Sequence, residues 1–381
     1  MPMTPFEGAM EIHYSIDELL GQMPDWKASD LHLTAGSAPA VRVNGRLERV
    51  ENLPSLTAEH ARQLLYRIMS SEQQKVLELK RQVDMPYSIP GVARFRVNVY
   101  FQRGSLCAAF RLTPVEPFTL DQLSLPPVLE ELTTKPNGLV LVTGATGSGK
   151  TTTLGALIDQ INETRYDHIL TIEDPIEFVH RHKRCIVNQR EIGPDATTFP
   201  EALRAALRQD PDVILLGEMR DLETIQTALT AAETGHLVFA TLHTQNAPGT
   251  IDRVVDVFPP AQQHQVRLQL ASTLQGVVTQ SLLPRADGAG RIAACEILLP
   301  DDGVRNLIRQ AKVEQVYSVM QTGSQRGMQT LEQALADLAL RGVVSRESAI
   351  ARADRPEQLT GLLERGAVNA AAAERGLRPV G

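Results

Sequence analysis

Apolar and polar positions along this chain follow two rhythms, and the change between them falls near Gly138. The first stretch mixes short helical and short alternating patterns. Ser15-Ile-Asp-Glu18 has the spacing of a capping box, so a helix opens there and is expected to end near Gly21. Val41-Arg-Val43 and the run 46–50, on either side of Asn44-Gly45, predict a β-hairpin, because Asn-Gly suits a type I′ turn. Helical spacing predicts one helix over 58–69 and another from Ser71 to about Lys80. Runs 94–101 and 106–112 read as two strands joined at Arg103-Gly104. Together these make a small α+β domain. Pro114, Pro117, Pro126, Pro127 and Pro136 then punctuate a linker that carries one short element.

From Gly138 the order becomes strand, helix, strand, helix. Runs 139–142, 169–172, 213–216 and 237–240 are short and apolar, as parallel strands covered on both faces must be. Leu154, Leu157, Ile158 and Ile161 recur at helical spacing. Further helices are expected over 201–208, behind Pro200, and over 222–234, with Gly235 as the stop. This rhythm implies an α/β fold with a doubly wound sheet. Beyond Pro260 the chain reads as mainly helical, and 349–381, with alanine at 370–373, reads as a flexible tail. Residues 1–9 read as a disordered N-terminus, and Met10 offers an alternative start.

Between the first apolar run and its helix lies Gly144-Ala145-Thr146-Gly147-Ser148-Gly149-Lys150-Thr151, followed by Thr152. It fits G-x-x-x-x-G-K-[ST], the phosphate-binding loop, in the strand–loop–helix setting that the motif requires. The glycines let backbone N–H groups curl around phosphate oxygens, and the helix N-terminus adds favourable partial charge. Lys150 is expected to reach the β- and γ-phosphates and Thr151 to ligate Mg²⁺. ATP with Mg²⁺ is the ligand this loop calls for.

Composition narrows the setting. The chain has 381 residues, 43% hydrophobic and 22% charged, which describes a globular protein of two domains plus appendages. A net charge of −7, only 4% aromatic residues and no interleaved basic–aromatic stripe argue against a nucleic-acid partner. Cys107, Cys185 and Cys295 are an odd, scattered set, which excludes a disulfide framework and suits the cytoplasm. No apolar run has transmembrane length and no signal peptide is evident, so any membrane association is expected to be peripheral.

Ligands of parallel α/β sheets bind at the carboxyl ends of the strands. After Ile172 come Glu173, Asp174 and Glu177; after Leu216 come Gly217 and Glu218; after Ala240 come Thr241 and His243. Asp212-Val-Ile-Leu-Leu-Gly-Glu218 resembles a Walker B strand with glycine in place of its usual aspartate. Glu218 is therefore the candidate that activates water, against the plainer reading of a loop carboxylate or a partner for Arg220. Mg²⁺ then depends on Thr151, water and Glu173. For Glu173, Asp174 and Glu177 a direct and an indirect role stay open. His243 falls at the active edge, whereas His236 falls at the other end of its strand, where a packing role is the plainer reading. In the small domain, alternation puts Arg94, Arg96 and Asn98 on one strand face, and Arg111 on the partner strand can join them. Such a face is either simply solvated or a source of arginine fingers for a neighbouring subunit.

Taken together the motifs resemble a family: the secretion ATPases, and within them the PilT-like retraction motors of type IV pili. The resemblance runs from Ala28-Ser-Asp-Leu-His-Leu33 to about Ser345. Val140 to Thr151 carries the Walker A motif, and Ile169 to Phe178 is similar to the family's aspartate box. Arg208 to Asp221 is similar to its Walker B, glycine included, and Thr234 to Thr244 to its histidine box. Gly303-Val-Arg-Asn-Leu-Ile-Arg-Gln310 is similar to the retraction motors' A-I-R-N-L-I-R-E segment and departs from it at both ends. Related extension and type II secretion ATPases usually carry an extra N-terminal domain and a tetracysteine zinc insertion, and this sequence shows neither. The resemblance implies a PAS-like domain over 10–112, a linker over 113–136 and a RecA-like ATPase domain with C-terminal helices over 137–348. It also implies a homohexamer at the cytoplasmic face of the inner membrane, with a membrane platform protein, indirectly pilin, and a paralogous retraction ATPase as partners. Glu218 becomes the catalytic glutamate, His236 and His243 functional residues, and Arg96 and Arg111 trans-acting arginines. The implied work is ATP-driven pilus retraction. The alternatives are an accessory ring subunit that binds ATP, and a type II secretion or DNA-translocating ATPase.

Overall fold

A computed structural model describes residues 14–43, 45–89, 92–113 and 117–374. The expected N-terminal disorder, the alternative start at Met10 and Asn44 of the hairpin turn lie outside these residues. The chain divides into two compact units, Met1–Glu116 with Glu177–Val179, and Pro117–Ile176 with His180–Gly381.

The first unit begins with α1 (Ile16–Gln22), whose N-cap Ser15 and Glu18 exchange both bonds of a capping box. Strands β1 (Ala28–Leu33), β2 (Ala40–Val43) and β3 (Arg46–Arg49) precede α2 (Ala58–Arg67) and α3 (Ser71–Lys80). Strands β4 (Gln82–Ile89), β5 (Ala93–Gln102) and β6 (Ser105–Thr113) complete an antiparallel sheet of order β3-β2-β1-β6-β5-β4. Arg103 and Gly104, with φ of 49° and 78°, make the tight β5–β6 turn that the sequence predicts. Phe95, Val97, Val99 and Phe110 pack with Leu64, Leu65 and Leu77 of the helices in one core. The alternate β5 residues face away from it. Strands β1 and β4 escape the pattern reading because their polar positions (Asp30, His32, Asp84, Ser88) interrupt short apolar stretches.

The second unit opens with α4 (Leu129–Thr133) and β7 (Gly138–Thr143), then α5 (Lys150–Thr164), β8 (His168–Glu173) and β9 (Ile186–Glu191). It continues through α6 (Phe199–Ala206), β10 (Val213–Leu216), α7 (Leu222–Glu233) and β11 (Leu237–Leu242). Next come α8 (Ala247–Asp256), α9 (Pro260–Thr273), β12 (Leu274–Pro284) and β13 (Arg291–Leu298). Helices α10 (Asp302–Arg309), α11 (Val316–Thr322), α12 (Leu331–Leu340), α13 (Arg346–Arg352) and α14 (Pro356–Glu374) end the described chain. The sheet order is β13-β12-β7-β11-β10-β8-β9, parallel except for β13. Leu139 and Leu141 join the core on one face of this sheet, with α7 and α8, while Val140 and Val142 join the core with α5 on the other.

Two expectations are corrected. The stretch after Pro260 is helical only to Thr273; residues 274–298 form the β12–β13 hairpin. Its signal was Asp287-Gly288 between β-branched runs, a turn that Gly288 and Gly290 make at φ of 74° and 91°. The second correction concerns 349–381. From 349 to 374 the chain is not a tail: it contributes the end of α13 and all of α14, and Ala349, Leu359 and Leu363 pack against Leu283, Ile292 and Leu335. Between Ala349 and Leu359 the chain carries Arg352, Asp354, Arg355 and Glu357, and these charged positions mask the apolar pattern. Among the described residues no helix is long and apolar enough to cross a membrane. Replacing Leu359 by Ala is expected to cost about 2–5 kcal/mol, read as a lower urea midpoint for the larger unit. In a loose tail the same change would move it by no more than roughly 0.5 kcal/mol.

Candidate active site

Strand β7 is buried along its whole length, and its last residue, Thr143, shares a 2.8 Å hydroxyl bond with Thr279 of β12. The chain then turns through Gly144 at φ 135°, where a Cβ would lie 2.4 Å from the Gln280 carbonyl oxygen. Only glycine fits. Gly147 and Gly149, at φ 79° and 89°, shape the rest of the loop. Ala145, Thr146 and Gly147 are exposed at its tip, while Ser148 and Lys150 are buried. Gly149 caps α5 without any side-chain bond, which leaves the first turn of the helix, at Thr151 and Thr152, turned to a ligand. Lys150 Nζ donates to the Gly144 and Ala145 carbonyls at 3.0 Å each, which centres its ammonium in the loop. A glycine-shaped concave loop around a buried ammonium, open at a helix N-terminus, fits the phosphates of a nucleotide.

The neighbouring strand ends supply the rim. Gly217 N–H donates to the Ile172 carbonyl at 2.8 Å, and Thr241 Oγ1 donates to the Gly217 carbonyl at 2.5 Å. A Cβ at Gly217 would stand 3.3 Å from Glu173 Cα and from the Ile172 oxygen. That approach is closer than most Cβ contacts, so a side chain at 217 would have to push the β8 backbone aside by a few tenths of an ångström, and glycine avoids this. The next residue, Glu218, is gripped by Arg220: Nη2 donates to Oε2 at 2.6 Å, and Nε lies 2.6 Å from Oε1. His243 Nε2 lies 3.0 Å from the same Oε1. Burial pushes the Glu218 carboxyl up, but Arg220 and His243 outweigh it and hold it below the usual carboxylate range.

The other candidates separate. Glu173 is buried and its Oε1 accepts from Thr171 Oγ1 at 2.6 Å and from Gln189 Nε2 at 3.2 Å, so this oxygen serves the protein's own network. Asp174 and Glu177 are exposed, and Asp174 is close enough to Arg220 to strengthen that guanidinium's charge. Among the described residues no group of three or more His, Cys, Asp or Glu side chains could hold a metal ion. His236 is not brought to this rim. It precedes β11 at the far end, and its Nδ1 sits 3.0 Å from the Ala231 carbonyl, the packing role already weighed for it.

In the smaller unit, Arg96 of β5 pairs directly across from Arg111 of β6, and Arg111 directly across from Asp30 of β1. Arg111 Nε donates to Asp30 Oδ1 at 2.9 Å. Burial works to raise the Asp30 carboxyl, but bonds from Ser29 and Arg111 bring it below its ordinary value. Arg96 is exposed and makes no ion pair among the described residues. Two residues at the larger unit's site were not foreseen: Gln189, on Glu173, and Gln280, whose Nε2 donates to Thr153 Oγ1 at 2.8 Å behind the loop. Both sit on strands that the pattern reading did not detect.

The sequence matches the family described as type II/IV secretion system protein over residues 7–378. It is 53% identical to the type IV pilus retractation ATPase PilT of Pseudomonas aeruginosa over 342 residues, covering 90% of this chain and 99% of that one. With the type IV pilus ATPase PilU of the same organism the identity is 39% over 350 residues, 92% of this chain and 91% of the other. Among solved structures, that of the pilus retraction motor PilT with bound ADP superposes at a TM-score of 0.85, with 50% identity, over 92% of this chain and 100% of that one. The fold is that of a RecA-like ATPase domain with a smaller N-terminal domain, and the chain is a nucleotide-binding ATPase.

Two outcomes follow from the rim. Gly217→Asp presses a side chain against β8 and is expected to lower the calorimetric melting temperature, at an overpacking cost of about 1–3 kcal/mol. Arg220→Ala leaves burial less opposed, so the Glu218 carboxyl rises, and the acid limb of the ATPase kcat/KM profile should move to higher pH. An unmoved acid limb would mean that Glu218 is not the group being titrated.

Proposed function

The chain belongs to the type II/IV secretion system protein family, and on that premise we propose that it is the hexameric ATPase motor of type IV pilus retraction and twitching motility. The observation that carries this reading is the continuity of one rim: phosphate loop, Glu218 and His243 stand on adjacent strand ends of a single sheet.

The geometry supports the following roles. Backbone N–H groups of 144–152 hold the phosphates, and Lys150 offsets their charge. When bound, Mg²⁺ would neutralise phosphate oxygens, with the Thr151 hydroxyl as its protein ligand and Glu173 acting through water. Glu218 takes the proton of the attacking water and orients it, once Arg220 yields an oxygen. His243, on the same carboxylate, fixes the orientation of Glu218 and reports on the γ-phosphate side. Asp174 draws on Arg220 from the other flank, and Glu177 borders the same segment.

Arg96 and Arg111 complete the site of a neighbouring subunit. Like charges directly opposite each other weaken a sheet. Asp30 offsets part of that cost and aims Arg111. A face that retains such a cost is better explained by a partner anion than by solvation. His236 has its place at a subunit boundary, since its own chain gives it no part in the rim. The ring works at the cytoplasmic side of the inner membrane, on a platform protein through which pilin is withdrawn, and a paralogous retraction ATPase can share the load.

Glu218→Gln is expected to lower steady-state Mg²⁺-dependent ATP turnover by about 10²–10⁴-fold. Mixed with Arg111→Ala subunits, it should recover part of the lost activity, because some interfaces regain both wild-type halves. Deleting the gene should leave surface pili abundant and twitching absent. Turnover that is unchanged in Glu218→Gln would overturn the enzymatic reading. Normal twitching after deletion would assign the chain an accessory place in the machine.

A further inference from the structure

The end of α13 lies beside the phosphate loop. Arg352 Nε donates to Ser281 Oγ of β12 at 2.7 Å, and its Nη1 stands 3.4 Å from Asp354 Oδ1. A cavity of about 380 Å³ opens here, lined by the loop tip 145–148, Ser281, Gln245, Arg291 and Arg352. Among the described residues no carboxylate lines it. The Arg291 side chain is exposed and makes neither an ion pair nor a hydrogen bond among the described residues. Ser148 is only 6% exposed, and its hydroxyl has no hydrogen-bond partner among the described residues. An unsatisfied buried hydroxyl costs stability unless something completes it. Two guanidinium groups, that hydroxyl and the tip of a phosphate loop call for the same ligand, an oxyanion.

We propose that Arg352 and Arg291 bind the terminal phosphate oxygens of the nucleoside triphosphate held by their own subunit, and so let the C-terminal helices distinguish triphosphate from diphosphate. This inference rests on the chain binding nucleotide at its phosphate loop. Ser281 tethers Arg352 by Nε alone, which fixes the plane of the fork and leaves its outer edge for a charged partner. The Asp354 contact is long and half-exposed, so it gives way to a phosphate at little cost. Ala349, one turn before Arg352, is fully buried among Leu335, Leu359 and Leu363, so a pull on the arginine reaches α12 and α14 through close-packed side chains.

Fluorescent ADP and a fluorescent non-hydrolysable ATP analogue are titrated into the full chain at fixed Mg²⁺. Arg352→Gln is expected to weaken the triphosphate analogue roughly tenfold, the effect of one lost charge-assisted bond, while ADP binding stays within about threefold. Ser281→Ala, which removes only the tether, should shift the same ratio by a smaller factor. An unchanged circular-dichroism melting curve shows that the variant is folded; if Arg352→Gln fails that control, Arg291→Gln on the exposed hairpin carries the same comparison. Equal weakening for both nucleotides, or no weakening, overturns the proposal and leaves the ATPase intact. A wild-type chain that binds neither nucleotide would instead sink the nucleotide site itself.

Discussion

A parallel sheet covered on both faces can carry chemistry only at its ends, and this one constraint organises the larger unit. Strands β7, β10 and β11 are buried at every position, so their side chains are committed to two cores. Polar groups appear where the strands stop: Gly144 after β7, Glu218 after β10, His243 after β11. Tight lateral packing then decides what each end can hold. Backbone crowding removes the side chain at 144 and at 217, and in each case the next functional group (the loop, or Glu218) is what projects.

That logic also separates what could be read in the sequence from what could not. The capping box at Ser15, the Arg103-Gly104 turn and the phosphate loop were legible because each is fixed by residues within a few positions of one another. The α/β architecture followed from four apolar runs. By contrast β12 and β13 are long strands whose alternation is blurred because both faces are covered, and a buried strand without period-2 polarity cannot be told from a buried helix. The last helix escapes the pattern for a related reason: α14 is anchored by Leu359 and Leu363 against a hairpin that the pattern does not reveal. Without the hairpin, those leucines had no visible partner.

Site residues show the same division. Glu218 was readable from its place after an apolar strand, but its grip by Arg220 and its contact with His243 depend on side-chain directions that spacing does not encode. Arg96 and Arg111 were placed on a common face by alternation, whereas the compensating Asp30 came from a strand 81 residues away in sequence from Arg111. The smaller unit thus keeps a paired cationic row at a price in sheet stability, partly offset by one buried carboxylate.

The contact between Gly144 and the Gln280 carbonyl has a mechanical side. Together with the Thr143–Thr279 bond it joins the loop to the β12–β13 hairpin through backbone and short side chains, with no long flexible arm in between. Such a joint has almost no backlash. A hairpin coupled this stiffly transmits a small displacement without first taking up slack, and the helices riding on it respond over the same stroke. A machine working against a load benefits more from that rigidity than from a large swing, because compliance in the first coupling would be lost from every step.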